Sequence, residues 1–246
     1  MLEILHCDED LVAVNKPAGL LVHRSPIDRH ETRFALQLLR DQLGHRVYPV
    51  HRLDKPTSGV LLFGRSPESA AALAGQFARR SAGKTYIAIV RGWCPEQGTI
   101  DHPLTEDHDS AAGSGKPIPA RTQDAVTLFQ RLATADLPVA VDRYPSTRYS
   151  LVLLRPVTGR RHQLRRHLKH ISHPIIGDAN HGKGVHNRFF QQHFNCHRLL
   201  LACVKLNLQH PTHGSALELR NGPGVEFEAV ARALGWQGAL KAALAA

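Results

Sequence analysis

The run Val60-Leu61-Leu62-Phe63, enclosed by Gly59 and Gly64, constrains the fold most. Four consecutive apolar residues in a strand point to both sides of a sheet, so both sides need cover. Directly after it, Ser66 reads as an N-cap and Pro67 as the first helical residue. Ala70, Leu73, Ala74 and Phe77 then recur at helical spacing, with Gly83 as the stop. Residues 84–90, KTYIAIV, read as a strand rich in β-branched and aromatic side chains. A buried strand, a covering helix and a second strand therefore occupy the middle of the chain.

Around that middle, 11–15 (LVAVN) reads as a strand entering a turn at Lys16-Pro17 and Gly19. Phe34, Ala35, Leu38, Leu39 and Leu43 predict a helix over 32–43, stopped by Gly44. Residues 149–154 form a further strand, and a helix is expected from soon after Gly159 to about His170, with Leu164, Leu168 and Ile171 on its apolar stripe. The stretch 198–208 is strand-like with 216–219 as its partner, and 225–245 reads as a terminal helix. Residues 105–123 lack hydrophobic periodicity and read as a long loop. Strands and helices mix without strict βαβ alternation, which favours an α+β fold with a largely antiparallel sheet. With 246 residues, one domain spanning 1–246 is expected.

Composition narrows the function. The opening MLEILHCDED lacks the basic and apolar regions of a secretory signal, and no run of about 18 apolar residues occurs, so a cytoplasmic protein without membrane spans is expected. Cys7, Cys94, Cys196 and Cys203 lie far apart with no CxxC pair, which points away from zinc knuckles and dithiol chemistry. A net charge of +10 suggests a polyanionic partner, and nucleic acid is the first candidate. Much of that charge sits in one segment, where Arg160, Arg161, Arg165, Arg166 and Lys169 surround the apolar stripe of the expected 160–170 helix. His162, His167, His170 and His173 fall in the same region, and so many competing cations argue against a metal there.

The sharpest motif is His51-Arg52-Leu53-Asp54-Lys55-Pro56-Thr57-Ser58-Gly59, a polar nonapeptide placed directly before the buried strand. Lys55 precedes proline and is pushed to extended backbone, Thr57 and Ser58 can bind turn amides, and Gly59 allows an unusual φ. Such a turn would present Asp54 at the top of a strand, either as a reactive carboxylate or as a partner that stiffens the turn through Arg52.

Four ordered segments resemble the RluA/RsuA superfamily of pseudouridine synthases over nearly the whole chain. Asn15-Lys16-Pro17-Ala18-Gly19-Leu20-Leu21-Val22-His23 is similar to its N-terminal signature, 51–59 to its HRLD box, and Lys84-Thr85-Tyr86 to its K-x-Y segment. Gly159-Arg160-Arg161-His162-Gln163-Leu164-Arg165-Arg166-His167 is similar to GRTHQIRxH, with His173-Pro174-Ile175-Ile176-Gly177-Asp178 following as HPIxGD. The resemblance implies the pseudouridine synthase catalytic fold, a mixed and mainly antiparallel sheet flanked by helices and loops, without the S4 domain that some relatives carry. It implies Asp54, Tyr86 and Arg165 as catalytic residues, with Arg165 paired to Asp54 and Tyr86 flanking the uracil or serving as a base. Arg52 would act as the target base leaves the stack, and Lys16, His23, Arg160, Arg161, Arg166 and Lys169 would bind phosphates or line the cleft. RNA is the implied partner, a monomer is expected, and no metal or organic cofactor is called for. The segment 143–149 and the first five residues most resemble the branch acting on the uridine at tRNA position 65. A ribosomal-RNA enzyme of the same family, an inactive RNA-binding protein and a metal-dependent phosphoesterase are the alternatives. The departures are Arg161 in place of Thr, Leu201-Ala202-Cys203 in place of Leu-His-Ala, and His181 in place of Tyr.

Overall fold

The computed structural model describes residues 1–24, 30–105 and 121–246. Most of the loop expected over 105–123 lies outside them. In chain order the elements are β1 (Glu3–Cys7), β2 (Leu11–Lys16), α1 (Ala35–Leu43), β3 (Tyr48–Pro49), β4 (Ser58–Gly64) and α2 (Pro67–Ala78). There follow β5 (Gly83–Arg91), β6 (Gln97–Asp101), β7 (Leu104–Thr105), β8 (Thr122–Gln123), β9 (Val126–Leu137), β10 (Thr147–Pro156) and α3 (Gln163–His170). The chain closes with α4 (Gly184–Phe194), β11 (Leu201–Gln209), β12 (Ala216–Arg220), α5 (Val225–Ala233) and α6 (Gln237–Ala245).

One sheet runs β1-β2-β4-β11-β5-β10-β9-β6, with β12 added beside β11 and β3 beside β4, while β7 and β8 pair separately. Among the pairings between these strands one is parallel, that of β4 with β11, where Ser58 sits by Ala202 and Gly59 by Cys203. Every residue of β4 is buried, as its unbroken apolar run requires. The two-residue period of the strands divides the core. Tyr86, Ala88 and Val90 of β5 join Leu39 of α1, Leu73 of α2 and Leu164 and Leu168 of α3 on one face. Ile87 and Ile89 join Phe190 of α4, Phe227 of α5 and Leu240 of α6 on the other. The fold is the expected mixed, mainly antiparallel α+β arrangement, with helices on both faces.

Local chemistry accounts for the boundaries. Ser66 accepts the Ser69 amide and Ser69 returns the bond to the Ser66 amide, so α2 begins at Pro67 as its sequence predicts. The terminal helix does not run unbroken through 225–245. Gly235, at φ +74°, separates α5 from α6, and the break lets the buried Trp236 indole donate to the Thr134 carbonyl at 3.1 Å. Among the described residues no helix is long and apolar enough to cross a membrane.

Candidate active site

The turn before β4 is built from buried polar contacts. The His51 ring stacks on Phe77 at 4.7 Å and its Nε2 accepts the Leu62 amide at 3.2 Å. Burial disfavours the imidazolium and takes its pKa down to about 4, so His51 is a neutral acceptor. The Thr57 amide donates to the Asp54 carbonyl at 3.0 Å and closes the turn. At Gly59 the chain passes so close to β11 that a Cβ would stand 2.0 Å from the Cys203 carbonyl oxygen, and φ is +113°. Only glycine fits there.

Lys16 corrects one expectation. The family resemblance implies phosphate binding, yet the residue is 0% exposed, and its ammonium donates to the carbonyls of Pro17, Leu20 and Lys55 at 2.9, 2.7 and 3.1 Å. It ties the 17–20 turn to the turn bearing Asp54, and no face remains for RNA. Burial lowers its pKa to about 7, against the opposing pull of Asp54.

From the other side α3 delivers Arg165. The Gln163 side chain, by accepting from Thr158 Oγ1 and the Arg160 amide and donating to the Val126 carbonyl and Thr127 Oγ1, locks the turn into the helix. His162 takes φ +52° there, an uncommon state for a non-glycine residue. The Arg165 guanidinium then donates from Nε and Nη2 to the two oxygens of Asp178, both at 2.7 Å, and from Nη1 to Asp54 Oδ2 at 3.3 Å. Asp178 is itself fixed by the amides of Asn180 and His181 at 3.0 Å. Burial works against both charges, but the pairing more than offsets it, raising the pKa of Arg165 and lowering that of Asp178. Asp178 therefore aims the arginine at Asp54, a part the residues of the HPIIGD segment signalled and the sequence reading left unassigned.

These elements wall a cavity of about 680 Å³, within the range of small-molecule sites. Asp54, Tyr86, Arg165, Arg52, Arg160 and Arg161 all line it, joined by Lys84, which had no separate role in the sequence reading. Tyr86 lies opposite Cys203 on β11. Burial, then Cys203 and Asp54, push the Tyr86 hydroxyl well above its ordinary pKa. It is a phenol at neutral pH, which counts against the base role considered for it. His162 Nε2 stands 4.0 Å from Asp54 Oδ2 and its Nδ1 is 3.1 Å from His181 Nε2. Burial lowers the pKa of both rings, and neighbouring arginines reinforce it.

The remaining candidates are not on the cavity wall. His23 is exposed, Lys169 is exposed on α3, and Arg166 donates to the Thr105 carbonyl at 2.8 Å. The histidines near α3 do not converge. His167 spends one nitrogen on Thr127 Oγ1 and the other on the His102 carbonyl, His170 stacks on His102, and His173 bonds the Arg91 carbonyl. Elsewhere Asp10, His210 and His213 bring ligand atoms within 4.8 Å of one another, a grouping their sequence spacing hides. There the Thr212 and His213 amides donate to His210 Nδ1, which puts the proton on Nε2, 3.2 Å from Asp8 Oδ2. The imidazole already bridges protein groups.

The family described as RNA pseudouridylate synthase matches residues 10–170, which contain Asp54, Tyr86 and Arg165. The chain belongs to that family. The tRNA pseudouridine synthase C of Vibrio cholerae is 48% identical over 240 residues, covering 98% of both chains. That of Yersinia pestis is 49% identical over 238 residues, covering 97% of this chain and 93% of its own. Among solved structures, human RNA pseudouridylate synthase domain containing 4 aligns with a TM-score of 0.69 at 27% identity, over 95% of this chain and 93% of that one.

Proposed function

We propose that this pseudouridylate synthase acts on tRNA, converting the stem uridine at position 65 to pseudouridine, and works in the cytoplasm. The carrying observation is the Asp54 carboxylate, held at 3.3 Å by an arginine that Asp178 fixes in place, at the wall of a cavity also lined by Tyr86 and by five further cations, Arg52, Arg80, Lys84, Arg160 and Arg161. The isomerisation breaks the N1–C1′ bond, turns the uracil and rejoins it through C5, so C5 loses a proton and N1 gains one. Asp54 acts at the ribose as the first bond breaks. Arg165 keeps that carboxylate aimed, and Tyr86 flanks the turning base as a neutral phenol. A paired uridine reaches such a cavity only by leaving its stack, and the exposed Arg52 at the rim is placed to occupy the vacated position. The names of the two bacterial relatives support the tRNA assignment.

To test it, unmodified tRNA and ribosomal RNA transcripts are incubated with the protein in the presence of chelator, and pseudouridine is mapped by carbodiimide-dependent reverse-transcription stops. A single stop at tRNA position 65 is expected. Modification confined to ribosomal RNA would overturn the substrate, and dependence on added metal would overturn the chemistry.

A further inference from the structure

Beyond the first cavity, a second of about 510 Å³ opens where β5 ends and β10 begins. Its lining includes Arg91, Tyr144, Arg148, Ser172, His173 and His186. Arg91 and Tyr86 lie on the same strand five residues apart, so at about 3.3 Å per residue their backbone positions are roughly 17 Å apart along it, and their side chains leave opposite faces of the sheet. Helix α3 bridges the two cavities. Gln163, Leu164 and Arg165 at its start line the first cavity, Ser172 and His173 just past its end line the second, and Arg166 and Lys169 lie between.

Arg91 is held by a buried relay. Its Nε donates to His186 Nε2 at 3.1 Å, which places the His186 proton on Nδ1, 2.9 Å from the Tyr149 hydroxyl. The Nη end of the fork has no hydrogen-bond partner among the described residues, an arrangement suited to two parallel bonds with a phosphate. On the rim Arg143 lies over the exposed Tyr144 ring at 5.0 Å, and Arg148 over the exposed Trp93 at 4.2 Å. Asp142, the acid of the lining, is neutralised by its ion pair with Lys183. Fixed cations interleaved with exposed rings are what a nucleic acid backbone and its unstacked bases meet.

We infer that this second cavity binds a backbone phosphate of the same RNA whose uridine enters the first, with Arg91 as the phosphate fork and Tyr144 as a stacking surface. The inference rests on the proposed function for the identity of the RNA. It gives the 143–149 segment, one of those that most resemble the tRNA branch, a task in substrate choice.

The test measures anisotropy of labelled, unmodified tRNA against salt for wild type, Arg91→Gln and Tyr144→Ala, with melting curves for each and pseudouridine formation followed in parallel. Arg91→Gln is expected to bind several-fold more weakly and to lower the slope of log affinity against log salt by about one, the signature of one lost phosphate contact. Tyr144→Ala, an exposed change that spares the fold, is expected to weaken binding with the slope retained, since a stacked ring carries no charge. Equal affinity and slope in wild type and both variants would overturn the inference while leaving the proposed function intact. A wild-type protein that binds tRNA yet forms no pseudouridine in it would overturn the proposed function instead.

Discussion

At the residue scale, the paired anchors of Asp54 carry different risks. Asp178 is buried with its arginine, and removing one member of a buried pair leaves the other uncompensated. Asp178→Asn should cost about 3 kcal/mol of stability in thermal or urea unfolding. It should also lower kcat far more than it raises KM, because Arg165 loses its aim. Lys16 behaves differently. Its three carbonyl acceptors would be stranded by Lys16→Met, so unfolding should come at least about 2 kcal/mol earlier. Below the melting transition its RNA affinity and salt slope should match wild type, whereas a phosphate contact would lower both. The rigid turn that presents Asp54 was legible in the sequence because a polar nonapeptide ahead of a buried strand needs a reason. The fate of Lys16 was not, since an ammonium beside a glycine-rich turn looks the same whether it meets phosphate or backbone carbonyls.

At the element scale, the site depends on one parallel contact in an otherwise antiparallel sheet. Strand β4 approaches β11 so closely at Gly59 that Gly59→Ala must displace backbone on both strands and abandon a positive φ. That variant is expected to be recovered largely insoluble or with its melting transition lost, a circular dichroism measurement. Elements with strong periodicity or punctuation were legible: β4, α2 with its Ser66 cap, β5 and α3. Two classes were hidden. Helix α4 takes its order from Phe190 packing against the far face of the sheet, a long-range contact without a local signal. Strand β9 alternates only loosely, and its pairing with β10 and β6 supplies the order its composition does not.

At the scale of the whole molecule, buried histidines set the response to acid. Burial takes His51 and His186 each to about 4 from an ordinary value of 6.5. Between those values the unfolded chain binds protons that the folded one refuses, so stability rises with pH from about 4 to 6.5 and falls as pH drops through that window. Melting temperature measured from pH 7.5 to 4.5 should decline, and replacing His186 with Gln should flatten the slope. The net charge of +10 predicts the opposite sensitivity in binding, with RNA affinity falling steeply as salt is raised. Charge announced a polyanion at the outset, and four ordered motifs announced the chemistry. The geometry adds what neither could: Asp178 grips the Arg165 guanidinium by two of its nitrogens while the third reaches Asp54. Single-turnover conversion of bound tRNA by Asp54→Ala beside wild type, with affinity measured on the same samples, tests that centre most directly. Retained binding with no detectable pseudouridine is the predicted result, and product formed at the wild-type rate would contradict it.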